Sequence, residues 1–303
     1  MVRVLACGGL TIDYVQTASA RSGPHLGGNA AYAAAGAWLA GAEAEVVAVI
    51  GDDFPASLLD GVGAVRIGTS AVRRVNGPSF RVLLDESGSE RIMSYLPGSG
   101  HNDRLDPVPS QLPGLRAGDG VHVSAIPTAS QGAIIEAVEG AVEVITLDTV
   151  VIAGEIEPDR AALLELAKRV SVFLPSQAEV AHHWPGTLPD SLDHIVAAGV
   201  KRVIVKMGAM GSVGYDGTRT IRTPAAEATV VDSTGAGDAY CGAICARLSM
   251  GDDLSTAMAW AAAAASAIIE SHGVTHTLNE TTRSRVAARA QVLEHGITTS
   301  TLA

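Results

Sequence analysis

Between residues 232 and 238 the chain reads Asp232-Ser233-Thr234-Gly235-Ala236-Gly237-Asp238, following Val230-Val231 and opening the run Ala-Tyr-Cys-Gly-Ala-Ile. Glycines at 235 and 237 let the backbone turn tightly and present consecutive N–H groups beside the positive end of a helix. Such a hole suits a phosphate, or the charge that develops on a phosphoryl group in transfer. Asp238 falls in the first turn of that helix, where a carboxylate can take the proton of an attacking hydroxyl. General-base help of this kind is typically worth about 10²–10⁴ in rate. A bare Gly-x-Gly-Asp also reads as a turn and a helix cap, because Asp readily caps helices. The surroundings must decide.

Other residues with chemical potential are scattered. Asp13 follows Gly8, Gly9 and Thr11 just past the first apolar run, at the carboxyl end where open α/β sheets bind ligands. The alternative is an Asp on a surface turn. Gly27 and Gly28 enter a helical run at Asn29, Glu179 follows Leu174-Pro175-Ser176, and Lys206-Met207-Gly208 runs on to Gly211. A solvated helix Glu and an ordinary hairpin turn are the plain readings of the last two. His182 and His183 are adjacent, so they point apart on a helix and make a poor metal pair. Asp52 and Asp53 lack partners at ligand spacing and read as structural. Arg81 and Arg91 read as solvated, or paired with neighbours such as Asp85. Cys241 and Cys245 sit four apart without a further Cys or His at ligand spacing, and read as small buried thiols.

The elements that must position these residues are legible in the hydropathy pattern. Short, nearly continuous apolar runs at 2–6, 46–50, 121–124, 144–147, 172–174 and 203–206 suit strands buried on both faces of a parallel sheet. Helical patterns lie between them, from Asn29 to Ala40, Ser130 to Glu139 and Asp159 to Arg169. Asn29 and Ser130 are candidate N-caps, and Pro158 suits the start of the third helix. The alternation predicts right-handed βαβ units in a doubly wound, mostly parallel α/β sandwich. Residues 79–95 instead read as a β-hairpin, and the polar stretch from Tyr14 to Leu26 is also non-helical. Together they predict a small β flap. A hairpin is expected within 207–221, and nearly continuous helix after Asp238.

Composition narrows the classes. Of 303 residues, 47% are hydrophobic, enough for a large core and too much for disorder. Lys and Arg number 21 against 32 Asp and Glu, a net charge of −11, which argues against an extended DNA- or RNA-binding surface. Three cysteines suit a reducing compartment, and the longest apolar stretch, 257–269, falls short of the ~20 residues of a membrane span. The expectation is a cytoplasmic protein of one domain over 1–303, without nucleic-acid or membrane partners.

The run DSTGAGD with AYCGAI resembles the C-terminal signature of the PfkB, or ribokinase-like, carbohydrate kinases. The resemblance extends to the Gly-rich turn with Asp13, to Gly27-Gly28, to IGDD at 50–53 and to KMGAMGS at 206–212. It implies a ribokinase-like sandwich with a small β lid, drawn here over approximately 14–26 and 67–98, through which the chain would form a homodimer. It implies an ATP-dependent phosphotransferase acting on an alcohol of a small sugar or related polyhydroxylated substrate. Asp238 would be the base, and the N–H groups of Gly235, Ala236 and Gly237 the anion hole. Asp13, Gly27, Gly28 and Asn29 would hold the acceptor. Ser176, Lys206, Gly208 and Gly211 would hold ATP, Glu179 would bind Mg²⁺ through water, and Asp232 would contact K⁺, which some members need. Two departures stand out: Tyr32 occupies the place of a substrate-binding Asn, and Ser176 that of the Asn in N-x-x-E. Alternatives are a nucleoside kinase of the same family and a non-catalytic sugar- or nucleotide-binding homologue. A dinucleotide oxidoreductase ranks low, because the turn after the first strand lacks G-x-G-x-x-G.

Overall fold

The computed structural model describes residues 1–64, 67–88, 92–100, 102–149 and 159–301. The first strand, β1 (Arg3–Cys7), leads into β2 (Thr11–Gln16), β3 (Arg21–Gly27), α1 (Asn29–Leu39) and β4 (Glu43–Gly51). Next come α2 (Ala56–Gly63), β5 (Ile67–Gly68), β6 (Val72–Val75), β7 (Phe80–Asp85), β8 (Ile92–Tyr95) and a short α3 (Asn102–Leu105). Strand and helix then alternate through β9 (Gly120–Val123), α4 (Thr128–Val138), β10 (Val144–Leu147), α5 (Arg160–Arg169) and β11 (Val172–Phe173). They continue with α6 (Gln177–His183), α7 (Leu188–Ala197) and β12 (Val203–Lys206). A hairpin, β13 (Ser212–Tyr215) and β14 (Arg219–Thr223), precedes α8 (Ala236–Ser249), α9 (Leu254–Ile268), α10 (Glu280–Glu294) and β15 (Thr298–Thr301).

The main sheet runs β15-β14-β13-β12-β11-β10-β9-β1-β4-β5, with β6 also paired to β4. It is parallel from β5 to β12 and antiparallel beyond. Side chains of β1 alternate between two apolar layers, as the two-residue strand period requires. Val4 and Ala6 pack with α1, α8 and α9, whereas Leu5 and Cys7 pack with α4 and α5. From central β1 the chain builds outward first through β4, then in the other direction through β9. Ligands bind outside the carboxyl ends of strands at such a reversal.

Helix α8 lies against α1 at backbone distance. A Cβ on Gly36 would stand 1.9 Å from the Ala239 carbonyl oxygen, and one on Gly242 1.8 Å from that of Ala33. Hydrogen is the one substituent that fits at either place.

A second sheet, β3-β2-β7-β8, covers one end of the molecule, its inner face holding Val15, Val82 and Leu84. This lid differs from the segments drawn on the sequence. Its first segment runs from Thr11 to Gly27 and its second from Phe80 to Tyr95, while β5 and β6 pair with β4 and belong to the body. Both run parallel to β4 at the edge of the main sheet. Two expected caps also differ. Gly28, with φ at +97°, caps α1, and Asn29 lies inside the helix because its amide is engaged elsewhere. Helix α4 begins two residues before Ser130, whose hydroxyl donates to Asp106 at 2.7 Å. Asp159 caps α5 by accepting from the Ala162 N–H at 2.8 Å; Pro158 and Arg91 lie outside the described residues. Strand β15 interrupts the expected all-helical end by covering the edge of β14.

Candidate active site

The site begins at the entry to α8. Gly235 is its N-cap with φ at +73°, and a Cβ there would lie 2.1 Å from Cγ of the buried Tyr32 ring. Tyr32 therefore backs the turn instead of facing the lid root. Ala236 and Gly237 open the helix and Asp238 follows, half-buried, in its first turn.

Strand ends supply the opposite wall. Lys206, the last residue of β12, donates from Nζ to both oxygens of Asp148 at 2.7 Å and to Cys241 Sγ at 3.4 Å. A Cβ on Gly237 would lie 3.7 Å from this ammonium, so Lys206 stands directly under the glycine turn. The pair is almost fully enclosed, with side chains 12% and 4% exposed. Burial opposes the lysine charge, but the Asp148 carboxylate more than offsets it and holds Lys206 well above the ordinary lysine range.

Glu179 lies beside them. The Ser176 N–H donates to its Oε2 at 2.6 Å, and the Ser176 hydroxyl accepts from the Glu179 N–H at 3.3 Å. This reciprocal capping box starts α6. A bridge between Ser176 and Lys206 sets the box against β12. Burial, then repulsion from Asp148, raises the Glu179 carboxyl. Asp238 is pushed up to about 7 by burial and by Asp148 and Glu179, with Lys206 acting in the other sense. After β12 comes a tight 3₁₀ turn, Gly208–Met210, in which Gly208 and Gly211 have φ of +57° and +83°. A Cβ on Gly211 would strike the Thr223 carbonyl oxygen at 2.1 Å.

Ser176, Gly208, Gly211, Ala236 and Gly237 line one cavity of about 820 Å³. Asp148, Glu179, Lys206 and Asp238 give it a charged lining, and Ala226, Val230, Ala262 and Ile269 an apolar one. Asp13, Gly27, Gly28 and Asn29 form a neighbouring group at the lid root. Asp13 is buried on β2 and accepts from Thr11 Oγ1. A Cβ on Gly27 would overlap its carboxylate, so the glycine makes room for the acid. The Asn29 amide accepts from the Gly9 N–H at 2.8 Å and donates to the Ala125 carbonyl at 2.7 Å, tying this group to the cavity wall. Its observed contacts are to backbone. Arg81 pairs on the lid with Asp53, not with Asp85, and Asp53 also accepts from the Ser79 N–H at 2.7 Å. Sequence reasoning did not single out Asp148; its signal was an acid at the carboxyl end of a buried strand.

Asp232 stands apart from this cavity. It is buried, its Oδ1 accepts from the Thr234 N–H at 2.8 Å, and its Oδ2 faces His272 Nδ1 at 3.5 Å.

A family model described as pfkB family carbohydrate kinase matches residues 9–282. A cytidine kinase of Thermococcus kodakarensis is 27% identical over 260 residues, 84% of this chain and 91% of that protein. Among solved structures, aminoimidazole riboside kinase from Salmonella enterica superposes with a TM-score of 0.78 at 20% identity, covering 95% of this chain and 99% of that one. Fructokinase from Vibrio cholerae O395 gives 0.79 at 18% identity, covering 94% and 99%.

Proposed function

This chain belongs to the pfkB family of carbohydrate kinases, and from that premise we propose that Asp238 is the base in transfer of a phosphoryl group from ATP to an alcohol of a sugar or nucleoside. The observation that carries this reading is the Asp238 carboxyl, pushed up to about 7, in the first turn of a helix whose entering glycine turn stands over a buried lysine. The acceptor oxygen forms a bond to the terminal phosphorus, its proton passes to Asp238, and the bond to the ADP oxygen breaks. The Gly235–Gly237 amides and Lys206 stabilise charge on the transferring group, so catalysis rests on positioning and electrostatics. The apolar lining takes the nucleobase, with Ser176, Gly208 and Gly211 along the nucleotide's path. Asp13, at the lid root, accepts from acceptor hydroxyls. The cytidine kinase resemblance over most of the chain puts nucleosides beside sugars as candidate acceptors.

Asp148 and Glu179 offer hard oxygen donors on one wall, and their mutual repulsion is what a divalent cation relieves. They fit Mg²⁺, which when bound neutralises phosphate oxygens. K⁺ fits Asp232 poorly, because an imidazole nitrogen faces that carboxylate where an oxygen donor is needed; no step is assigned to it.

The lid also carries the homodimer reading. Strand β8 ends the lid sheet and exposes Ile92, Met93 and Tyr95, an apolar edge suited to pairing with a second copy. The kinase reading is tested by ADP release over a panel of sugars, sugar acids and nucleosides. Turnover with one class identifies the acceptor; ligand binding without turnover on any of them makes the chain a binding homologue.

A further inference from the structure

Three segments far apart in sequence converge where the lid meets the loop leading into α8. Asp232 is fixed there, its Oδ1 taken by the N–H and hydroxyl of Thr234 at 2.8 and 2.6 Å. Its Oδ2 faces His272 Nδ1 at 3.5 Å, and that nitrogen is buried with no hydrogen-bond partner among the described residues. Glu86, just past β7 on the lid, brings a carboxylate oxygen so close that all three ligand atoms lie within 4.8 Å of one another. Further imidazoles surround them. His25 of β3 packs over Gly273, next to His272 in the chain.

We propose that Glu86, Asp232 and His272 bind a divalent transition-metal ion that clasps the lid to the loop entering α8. The donor set selects the class of ion. One imidazole nitrogen with two carboxylates suits Zn²⁺ and its first-row neighbours, whereas K⁺ and Mg²⁺ favour oxygen throughout. The spacing agrees as well. Ligand atoms on a tetrahedral ion at about 2.0–2.1 Å stand roughly 3.4 Å apart, close to the 3.5 Å between Asp232 and His272. Glu86, whose carboxylate lies within 4.8 Å of both, would turn from its present partner to give the third ligand, with water in the fourth position. Because Thr234 is bonded to Asp232 and adjoins Gly235, the ion would couple lid position to the anion hole. Metal binding itself does not depend on the phosphotransfer reading.

The test uses the full chain, stripped by chelation, without nucleotide. Calorimetric titration with Zn²⁺ is expected to give one ion per chain, and Co²⁺ the intense visible bands of a four-coordinate site. His272→Ala and Glu86→Gln should each weaken Zn²⁺ at least about tenfold. Zn²⁺ should slow amide exchange in β7 and β8 of the parent protein but not of Glu86→Gln. Both positions are partly exposed, and thermal melts confirm that the variants fold. No saturable binding at millimolar Zn²⁺, or binding that survives both substitutions, overturns the site. Binding that needs His272 while lid exchange stays unmoved overturns the clasp. All these readouts are independent of turnover, so a failed acceptor panel leaves them intact.

Discussion

Asp238 and Lys206 line one cavity, and Asp148 acts on both, raising the Asp238 carboxyl after burial has done so and holding the Lys206 charge against burial. Asp238→Asn should cut kcat by at least ~10² while nucleotide binding persists, as steady-state turnover and calorimetry would read. As the proposed base, Asp238 would work as a carboxylate, so kcat/KM should rise with pH and level off above about 7. Stability runs in the opposite sense. A carboxyl raised from 3.8 to about 7 on folding keeps its proton in the native state, and stability is lost as pH climbs between those values. Asp238→Asn should therefore gain most over the parent in melting temperature near pH 8 and little near pH 4. Lys206→Met leaves Asp148 buried without its partner and should destabilise by about 3–5 kcal/mol in urea unfolding. Adding Asp148→Asn should restore most of that stability without restoring turnover. The motif residues of this site are legible in sequence because glycines, base and helix start fall within seven positions. Asp148 is not, since a lone acid at a strand end acquires meaning only when Lys206, 58 residues away, is folded onto it. Asn29 misleads for the same reason: its residue type favours a cap, while its amide serves backbone groups of distant loops.

At the scale of elements, the base depends on where α8 sits, and α8 is set by α1. Gly242→Ala would drive a methyl into the Ala33 carbonyl and separate the helices, costing on the order of 1–3 kcal/mol. Turnover should fall more than this loss of stability alone implies, because the glycine turn moves with its helix. Gly132→Ala in α4 is the control. Its Cβ would meet Leu166 at an ordinary 3.5 Å, so about 0.4–1 kcal/mol of stabilisation is expected, with activity unchanged. Calorimetric melts and kcat for both variants check the contrast. The central parallel strands were readable as apolar runs because burial on both faces leaves no other composition open to them. Strands β5, β6 and β15 were not, since each is short, lies at an edge and takes its conformation from the strand beside it.

For the whole molecule, the lid carries the proposed pairing surface. If two copies pair along β8, Ile92→Glu with Met93→Glu should yield monomers by analytical ultracentrifugation and leave the melting temperature within a few degrees. Parent protein that sediments as a monomer at micromolar concentration would refute the pairing. The closed packing of α1 on α8 bears on this division between lid and body. One end of α1 adjoins the acceptor group at Gly27 and Gly28, and its Tyr32 ring backs the turn at Gly235. The lid-root glycines and the glycine turn are thus tied to one packed helix pair, while the lid beyond makes its own sheet and small core. Exchanging the β7–β8 hairpin between relatives should therefore change what lies over the site and leave the packing of α1 on α8 untouched: the cover is free to vary separately from the unit it covers.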